Sequence, residues 1–444
     1  MRHLKETCTK ALNLLRVIAH TTWGADQQTH LHLYRSLIRS KLDYGCVVYG
    51  SARSSCLRML DPILNHALRL CLGAFRTSPS ASLCVLANEP PLYIRRKKLS
   101  MQYCLKLSSS AQNPAYSGVF ASKFKSAFER KPNQIPPLGI RVHPDLQAIG
   151  FKQKDTLKFS IPANPPWLLN HPHVNFELHS FHKDDTSPDI FRSKFYELCA
   201  HFSNFCRLYT DGSKMGDRTA SAVVSRHTTR SIRLPNSASI FRAELYAITL
   251  ALGLIRRSQE TNFIIFSDSM SSLEALNSFK VDLDIVLQII KDYTYLTNIG
   301  KTIVLCWIPS HVNIPGNERA DVAAKSALSL PITHMKLPAN DLIPRVAKFC
   351  LDEWQDIWSC CASNKLNSIY PIVGIGRHSK IISRHEAVII NRLRLRHTRL
   401  THSYLLSGDD QPACGSCQLP LTVKHILLEW SCRTSDINFS LFFL

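Results

Sequence analysis

The sequence lacks long apolar runs, an export signal and a regular pattern of cysteines. No uninterrupted apolar stretch in its 444 residues reaches the roughly 20 that a membrane-spanning helix needs, so we expect no membrane partner. The opening residues, MRHLKETCTKALNLLRVIAH, contain no run typical of the apolar part of a signal peptide. We therefore expect an intracellular protein, nuclear or cytoplasmic, and not a secreted one. The 15 cysteines follow no repeating framework and indicate reduced thiols, apart from a cluster near the C-terminus.

Acidic residues are scarce relative to basic ones. The chain has 33 Asp and Glu against 54 Lys and Arg, and its formal net charge is +21. Such an excess favours association with polyanions, and nucleic acid is the first candidate. A soluble basic protein without such a partner is the alternative. The hydrophobic content of 45% and the charged content of 20% are ordinary for a globular protein, and the length allows two to four domains.

Composition divides the chain into four regions. Residues 1–110 carry apolar residues at three- and four-residue spacing with Lys and Arg between them, as in LHLYRSLIRSKLDYG, which predicts a basic helical region. Residues 111–200 contain ten prolines between Pro114 and Pro188, a density that favours a linker or an irregular subdomain over helices. Residues 201–330 have the regular pattern of one compact domain. Residues 331–444 are predicted to be helical, then Arg-rich, and then a small helical Cys/His tail.

The region 201–330 alternates between strand-like and helix-like patterns. The segments FCRLYTDGS, TASAVVSRH and TRSIRLP predict three short strands, and SIFRAELYAITLALGLIRRSQ predicts an amphipathic helix. A strand NFIIFSDS, helices at about 270–278 and 282–298, a strand TIVLCWIPS and a helix NERADVAAKSAL follow. Hairpin strands followed by alternating helices and strands predict an α/β domain with a mixed five-stranded sheet and flanking helices.

Four acids in this region are candidates for chemistry. Asp211 and Asp268 each end a predicted strand, and the ends of strands are where such sheets build their sites. Glu244 lies on the inward side of the amphipathic helix, where a carboxylate is costly unless a cation, a backbone group or a tyrosine satisfies it. Asp321 lies one turn after Glu318 on the last helix, where a solvated acid in the first turn is the alternative.

Acids that converge from separate elements would repel one another without a metal ion. Two divalent ions held about 3.5–4 Å apart by such acids stabilise both the attacking and the leaving oxygen of a phosphodiester. Mg²⁺ suits this chemistry because it prefers oxygen ligands and keeps bound waters, and Mn²⁺ is the alternative ion. We therefore expect two Mg²⁺ ions and no small-molecule cofactor.

The motifs YTDGS, RAEL, FSDS and WIPSHVNIPGNERAD stand in the order found in the type I ribonuclease H fold, which this region resembles. The resemblance implies that Asp211, Glu244, Asp268 and Asp321 bind the catalytic metal ions. It places His311 at the family's mobile-loop histidine, which assists proton transfer or product release; a structural histidine in a Gly/Pro-bearing loop is the alternative. The implied reaction is hydrolysis of the RNA strand of RNA–DNA hybrids, which leaves a 3′-hydroxyl and a 5′-phosphate.

An enzyme that distinguishes RNA from DNA must contact the 2′-hydroxyl. Ser213, Asn236 and Asn317 are the candidate polar contacts, although Ser213 equally suits turn chemistry. The alternative function is a catalytically inactive remnant that binds nucleic acid through its basic flanks. A protein-interaction scaffold is a third class, and it predicts binding that depends little on salt, whereas phosphate contacts weaken steeply as salt rises.

The C-terminal region has its own candidate sites. Cys414 and Cys417, separated by two residues and followed by His425 and Cys432, fit a tetrahedral Zn²⁺ site, and unrelated reduced thiols are the alternative. Just upstream, SRHEAVIINRLRLRHTRLTHSYLL alternates Arg with apolar residues. This pattern fits either a face that tracks phosphates or a solvated helix face.

Most of the chain also resembles the 3′ end of the polyprotein of a jockey-like non-LTR retrotransposon. LYRSLIRSKLDYGCVVYG and LNHALRLCLGAFRTSP resemble the segment after the reverse transcriptase palm, and RLRLRHTRLTHSYLL with the Cys/His tail resembles the region after the nuclease. The Tyr-x-Asp-Asp motif of the polymerase is absent, so DNA synthesis is not expected. The last cysteine of the family's tail lies closer to the histidine, where Trp430 stands here, and this departure weakens the zinc pattern.

Overall fold

The computed structural model describes residues 1–121, 125–130, 134–158, 165–181, 185–278, 284–376 and 382–429. The chain forms two compact units. The first comprises Met1–Leu107, Gln112–Phe151 and Arg345–Leu444, and the second comprises Ser108–Ala111 and Lys152–Pro344. Within the described ranges, no helix is both long and apolar enough to cross a membrane.

The N-terminal part of the first unit is helical. Its first helix shows why: the buried Cys8, Ala11, Leu12 and Leu15 recur at the spacing of one helix face, and they join a core that also contains Trp358. A π-helical turn, Arg35–Arg39, continues the second helix. The helices are α1 (Arg2–Ile18), α2 (Gln27–Tyr34), α3 (Ser40–Asp43), α4 (Cys46–Tyr49), α5 (Ser54–Arg58), α6 (Asp61–Leu72), α7 (Ser80–Ala87), α8 (Leu92–Ser108), α9 (Ala115–Phe120), α10 (Lys125–Arg130) and α11 (Leu138–Ala148).

Helices also lie among the prolines of residues 111–200, where the sequence favours irregular structure. Pro144 lies inside α11, which therefore lacks one backbone hydrogen bond. Pro188 begins α12 (Pro188–His201), a position where its missing N–H would have no partner in the helix anyway. The expectation that these prolines exclude helices is wrong at both positions.

A six-stranded mixed sheet forms the centre of the second unit. The strand order is β1-β6-β5-β2-β3-β4; β1, β6, β5 and β2 are parallel neighbours, and β2, β3 and β4 form antiparallel pairs. The strands are β1 (His173–Asn175), β2 (Cys206–Met215), β3 (Arg218–Val224), β4 (Thr229–Leu234), β5 (Asn262–Ser267) and β6 (Thr302–Trp307). The predicted mixed α/β sheet with flanking helices is confirmed, but it has six strands, not five. The sequence does not predict β1, because three residues next to Pro172 carry no alternating pattern.

Helices cover both faces of the sheet. In β5, Phe263 and Ile265 point into one apolar cluster while Ile264 and Phe266 point into another, as expected for the two-residue period of a strand. The first cluster packs under α13 (Ile240–Arg257), α14 (Met270–Asn277) and α15 (Asp284–Asn298). The second contains residues of α12 and of a short 3₁₀ turn, Glu177–Ser180. The last helix of the sheet unit, α16 (Pro315–Ala327), packs on β2, β3 and β4.

The C-terminal part of the chain is again helical. The helices are α17 (Ala339–Ser359), α18 (Arg384–Leu395), α19 (Arg399–His402) and α20 (Tyr404–Ser407), and a π-helical turn His425–Glu429 follows. Ser383 and Glu386 form a capping box at the start of α18, which satisfies backbone N–H groups of its first turn.

Candidate metal and active site

The register of β2 and β5 brings two aspartates together. Thr210 and Ser267 are the last paired residues of these parallel strands, so the next residue on each, Asp211 and Asp268, emerges at the same edge. The buried Thr210 hydroxyl donates to the Phe266 carbonyl at 3.0 Å and holds this register.

The sequence suggests that Asp211 ends its strand, but the structure differs. Its strand continues to Met215, because its other edge pairs with β3 as far as Met215 and Arg218. Ser213 consequently lies in a strand opposite Ala220, and its reading as a turn residue is wrong. The site therefore lies where the pairing of β2 with β5 ends and not where β2 itself ends.

Gly212 allows Glu244 to reach the same edge. A Cβ atom at Gly212 would lie 2.7 Å from the backbone nitrogen of Glu244 and 2.9 Å from the carbonyl carbon of Ala243. Only glycine therefore permits the first turns of α13 to approach β2 this closely. The Gly212 N–H also hydrogen-bonds the Glu244 carboxylate.

Three of the four predicted acids form one cluster. Carboxylate oxygens of Asp211, Glu244 and Asp268 all lie within 4.8 Å of one another. Asp211 and Glu244 are only 7% and 9% exposed. One oxygen of each, Asp211 Oδ2 and Glu244 Oε2, is buried with no hydrogen-bond partner in the described part of the chain. Buried carboxylates that lack partners and repel one another are costly unless a cation joins them.

The raised pKa values of the clustered acids also favour a bound cation. Burial raises the pKa of Asp211 to about 8, and the charges of Asp268 and Asp321 raise it further. Burial also raises the pKa of Glu244 well above its ordinary value, with Asp211 and Asp268 adding to the effect. Burial and mutual repulsion thus make the charged form of Asp211 and Glu244 unfavourable without a compensating cation. Carboxylate oxygens without partners are the donor set that Mg²⁺ prefers, so these residues fit a divalent ion.

Asn317 and His311 act on Asp268. Burial raises the pKa of Asp268, and the hydrogen bond from Asn317 and the charge of His311 oppose that rise. Asn317 is 3% exposed, and its Nδ2 donates to Asp268 Oδ2 at 3.2 Å. This predicted substrate contact therefore lies beneath the acid it orients, whereas His311 lies exposed in the loop between β6 and α16 with a φ of 57°.

Asp321 lies outside the cluster of three. Its Oδ2 accepts a hydrogen bond from Lys325 Nζ at 2.7 Å, one turn further along α16. Its charge still reaches Asp211, whose pKa it raises. Gly316 allows the start of α16 to pack closely against β2, since a Cβ atom at this position would lie 2.3 Å from the Tyr209 ring. The structure thus places the fourth acid near the cluster, held by a lysine that the sequence reasoning did not single out.

Arg242 is a second residue that the sequence reasoning missed. It is 7% exposed and lies two residues before Glu244 in the first turn of α13. Its guanidinium pairs with Asp284 at 2.7 Å and also binds Asp341. These contacts hold the turn that carries Glu244 against the starts of α15 and α17. An arginine on the buried side of an amphipathic helix was the available signal.

Asn236 is engaged elsewhere. Its Oδ1 accepts from Arg233 Nη2 and its Nδ2 donates to Asp217 Oδ2, both at 3.0 Å. The Asn236 amide therefore joins the side chains of Arg233 and Asp217, which gives this predicted substrate contact a structural role.

The tail brings three of its four predicted ligands together. Ligand atoms of Cys414, Cys417 and His425 lie within 4.8 Å of one another, and Cys417 Sγ lies 3.4 Å from His425 Nε2. A hydrogen bond with His425 lowers the pKa of Cys414 to about 6, and backbone N–H groups of Cys417 and Ser416 contribute. A thiolate at neutral pH is the form that binds metal. Cys432 lies outside the described residues.

Two arginines of the Arg-rich segment are structural. Arg384 is 5% exposed and donates to the carbonyls of Leu70 and Cys71 at 2.8 and 2.6 Å. Arg392 is 6% exposed and donates to the Gly73 carbonyl at 2.9 Å. Neither a phosphate-tracking face nor a solvated face describes these two residues. They satisfy carbonyls at the C-terminal end of α6, which have no partner within that helix.

Comparison with known families supports the reading of the acid cluster. Residues 204–329 match the family model described as RNase H, and this span includes the three clustered acids, His311 and Asp321. No curated protein matches the chain. Proteins of this family act on RNA–DNA hybrids with divalent metal ions. The six-stranded mixed sheet and the acid cluster are consistent with an RNase H-like fold in the matched residues 204–329, which make up less than a third of the chain.

Proposed function

We propose that the protein is a Mg²⁺-dependent endoribonuclease that hydrolyses the RNA strand of RNA–DNA hybrids. The observation that carries the proposal is the cluster of Asp211, Glu244 and Asp268, with oxygens within 4.8 Å and two of them without partners. Uncompensated buried acids in a chain with a net charge of +21 are hard to explain by stability alone.

The residues have distinct roles in this proposal. The three clustered acids hold two metal ions, and Asp321 contributes after it separates from Lys325. Bound Mg²⁺ supplies charge stabilisation of the attacking and leaving oxygens and activates water. Asn317 orients Asp268, and His311 exchanges a proton or assists release of the product.

Recognition of the RNA strand requires a contact with the 2′-hydroxyl. Ser213 is half-buried and lies two residues beyond Asp211 on the same strand. Asn236 and Asn317 already have protein partners. Asn317 is also only 3% exposed. Ser213 is the side chain that we propose for this contact, and Ser213→Ala should raise the KM for hybrid more than it lowers kcat.

A cleavage assay tests the proposal. The full chain is incubated with a labelled RNA–DNA hybrid with Mg²⁺, with Mn²⁺ or with a chelator, and Asp268→Asn is measured beside it. We expect metal-dependent cleavage by the native chain, and hybrid binding without cleavage by the variant. Equal cleavage by the variant contradicts the assignment of the acids. Binding without cleavage by the native chain supports the alternative of an inactive nucleic-acid-binding remnant.

We also propose that the tail binds one Zn²⁺ ion through Cys414, Cys417 and His425, with Cys432 as the fourth ligand. The low pKa of Cys414 and the 3.4 Å separation of Cys417 from His425 support it. Zinc content of the purified chain should be near one ion per molecule and should fall in Cys414→Ser and Cys417→Ser. Asp268→Asn serves as the control that retains zinc, and a zinc-free native chain contradicts the proposal.

The origin that we propose is the 3′ end of a jockey-like retrotransposon polyprotein. The order of the helical basic region, the RNase H domain and the Arg-rich and Cys/His segments supports it. The test is the genomic sequence upstream of the coding region. An in-frame reverse transcriptase with a Tyr-x-Asp-Asp motif is expected there, and an unrelated domain in that place contradicts the proposal.

A further inference from the structure

The loop that carries His311 is held in an unfavourable backbone conformation. His311 and Asn313 have φ values of 57° and 59°, in the left-handed region that residues other than glycine rarely adopt. Residues other than glycine keep this conformation only where the surrounding structure compensates for the strain. The loop therefore needs an external support to keep this shape.

Alternate residues of the loop connect it to this support. His311 and Asn313 are exposed, whereas Val312 and Ile314 are only 3% and 1% exposed. The Ile314 carbonyl also accepts backbone hydrogen bonds from the N–H groups of Asn317 and Glu318 in the first turn of α16. The two buried side chains thus anchor the loop on one side and present His311 on the other.

The anchors belong to an apolar cluster that combines residues of the sheet with residues before the RNase H match, which starts at residue 204. We call the 3₁₀ turn Glu177–Ser180 and α12 (Pro188–His201) together the supporting segment. Its buried members in this cluster are Leu178, Phe191, Phe195, Leu198 and Cys199.

The supporting segment reaches the acids by a second route. The His179 ring packs edge-on against Trp307 with centroids 5.5 Å apart. The Trp307 indole N–H donates to the backbone carbonyl of Asp268 at 3.2 Å. Both the His311 loop and the backbone of Asp268 therefore rest on contacts with this segment.

We propose that the supporting segment positions His311 over the acid cluster through the anchors Val312 and Ile314, so that the nuclease site is incomplete without residues that precede the RNase H match. This inference rests on the proposed nuclease function. Val312, Ile314 and Phe191 are positioning residues, and the part of the site that touches substrate remains on the RNase H domain.

A double-mutant cycle in the full chain tests this inference. Phe191→Leu loosens the supporting segment, His311→Ala removes the side chain that it positions, and the two are also combined. We expect Phe191→Leu to lower kcat about tenfold, with little change in KM for the hybrid. In the His311→Ala background the same change should lower kcat less than about twofold, because the positioned group is gone.

The matched control is Phe263→Leu, which makes the same truncation in the apolar cluster on the opposite face of the sheet. A merely destabilising effect lowers kcat by the same factor in both backgrounds, and we expect that behaviour only from the control. Val312→Ala repeats the cycle from the loop side in case Phe191→Leu does not fold.

Two results overturn the inference. In the first, Phe191→Leu lowers kcat by the same factor with and without His311. In the second, the native chain cleaves hybrid and the His311→Ala variant has the same kcat. Failure of the native chain to cleave at all counts against the proposed function instead. In that case hydrogen exchange of residues 308–314 decides, since Phe191→Leu should accelerate it and Phe263→Leu should not.

Discussion

Each of the two units buries carboxylates, and the two units treat them differently. In the first unit Glu89 is 2% exposed and lies 2.6 Å from Arg35 and 3.0 Å from Arg39. In the second unit Asp211 and Glu244 are nearly as buried, but each keeps an oxygen without a partner in the described residues. A buried acid with its own cations is part of the architecture, whereas buried acids that lack them fit the divalent ions that we propose for this site.

The largest expected difference is in catalysis. Glu244→Gln should lower hybrid cleavage by about three orders of magnitude, because the loss of metal-borne charge stabilisation is worth several kcal/mol. Glu89→Gln should leave the specific activity of the folded chain unchanged. Initial rates at saturating Mg²⁺ check both, and a comparable loss in the two variants would remove the distinction between the two acidic sites.

Stability should respond in the opposite order. Glu89→Gln leaves two arginines without their acid and should lower the free energy of unfolding by about 2–3 kcal/mol, less than for a fully buried pair because the arginines are partly exposed. Denaturant unfolding in the presence of a chelator measures this. Lys194→Gln, which breaks an exposed ion pair, is the control and should change stability by less than about 1 kcal/mol.

The metal-free acid cluster should make stability fall as pH rises. The pKa of Asp211 is about 8 in the folded chain and near 3.8 when unperturbed, so between about pH 4 and 8 the folded state binds a proton that the unfolded state has lost. The free energy of unfolding must therefore decrease through that window. Asp211→Asn removes the contribution of this residue and should stabilise the metal-free chain at pH 8 by an amount on the order of 2 kcal/mol.

Thermal unfolding from pH 5 to 8.5, with and without Mg²⁺, checks the sign. Mg²⁺ should stabilise the native chain more as pH rises, because the ion replaces protons at the same oxygens. A native chain whose metal-free stability increases from pH 5 to 8, with no difference from Asp211→Asn, would contradict the account of the cluster.

The smallest expected effect on stability concerns the buried basic side chain of Arg392. Arg392→Gln removes one hydrogen bond to the end of α6 and should lower the free energy of unfolding by about 1 kcal/mol. The salt dependence of hybrid binding should not change, since this residue is not available to phosphates. A reduced salt slope in the variant would restore the phosphate-tracking interpretation of the Arg-rich segment.

Sequence patterns predicted some features of the structure correctly and others not. Asp211, Asp268 and Glu244 were found because each stands at a recognisable position of a strand or a helix, and the mixed α/β sheet follows from the alternation of patterns. The strand β1 was missed because its pairing with β6 depends on a distant partner. Arg384 and Arg392 were misread because a periodic pattern does not show that the end of another helix lies against them.

By itself the sequence determined the order of strands and helices from β2 to α16, the presence of acids at their ends and the excess of positive charge, because these depend on local spacing and on side-chain type. The tertiary structure alone decided that three acids meet within 4.8 Å while the fourth pairs with Lys325. It also decided that Val312 and Ile314, beside His311, share an apolar cluster with residues of α12. Such distances depend on close approaches, as at Gly212 and Gly316, between segments far apart along the chain, and no local pattern contains them.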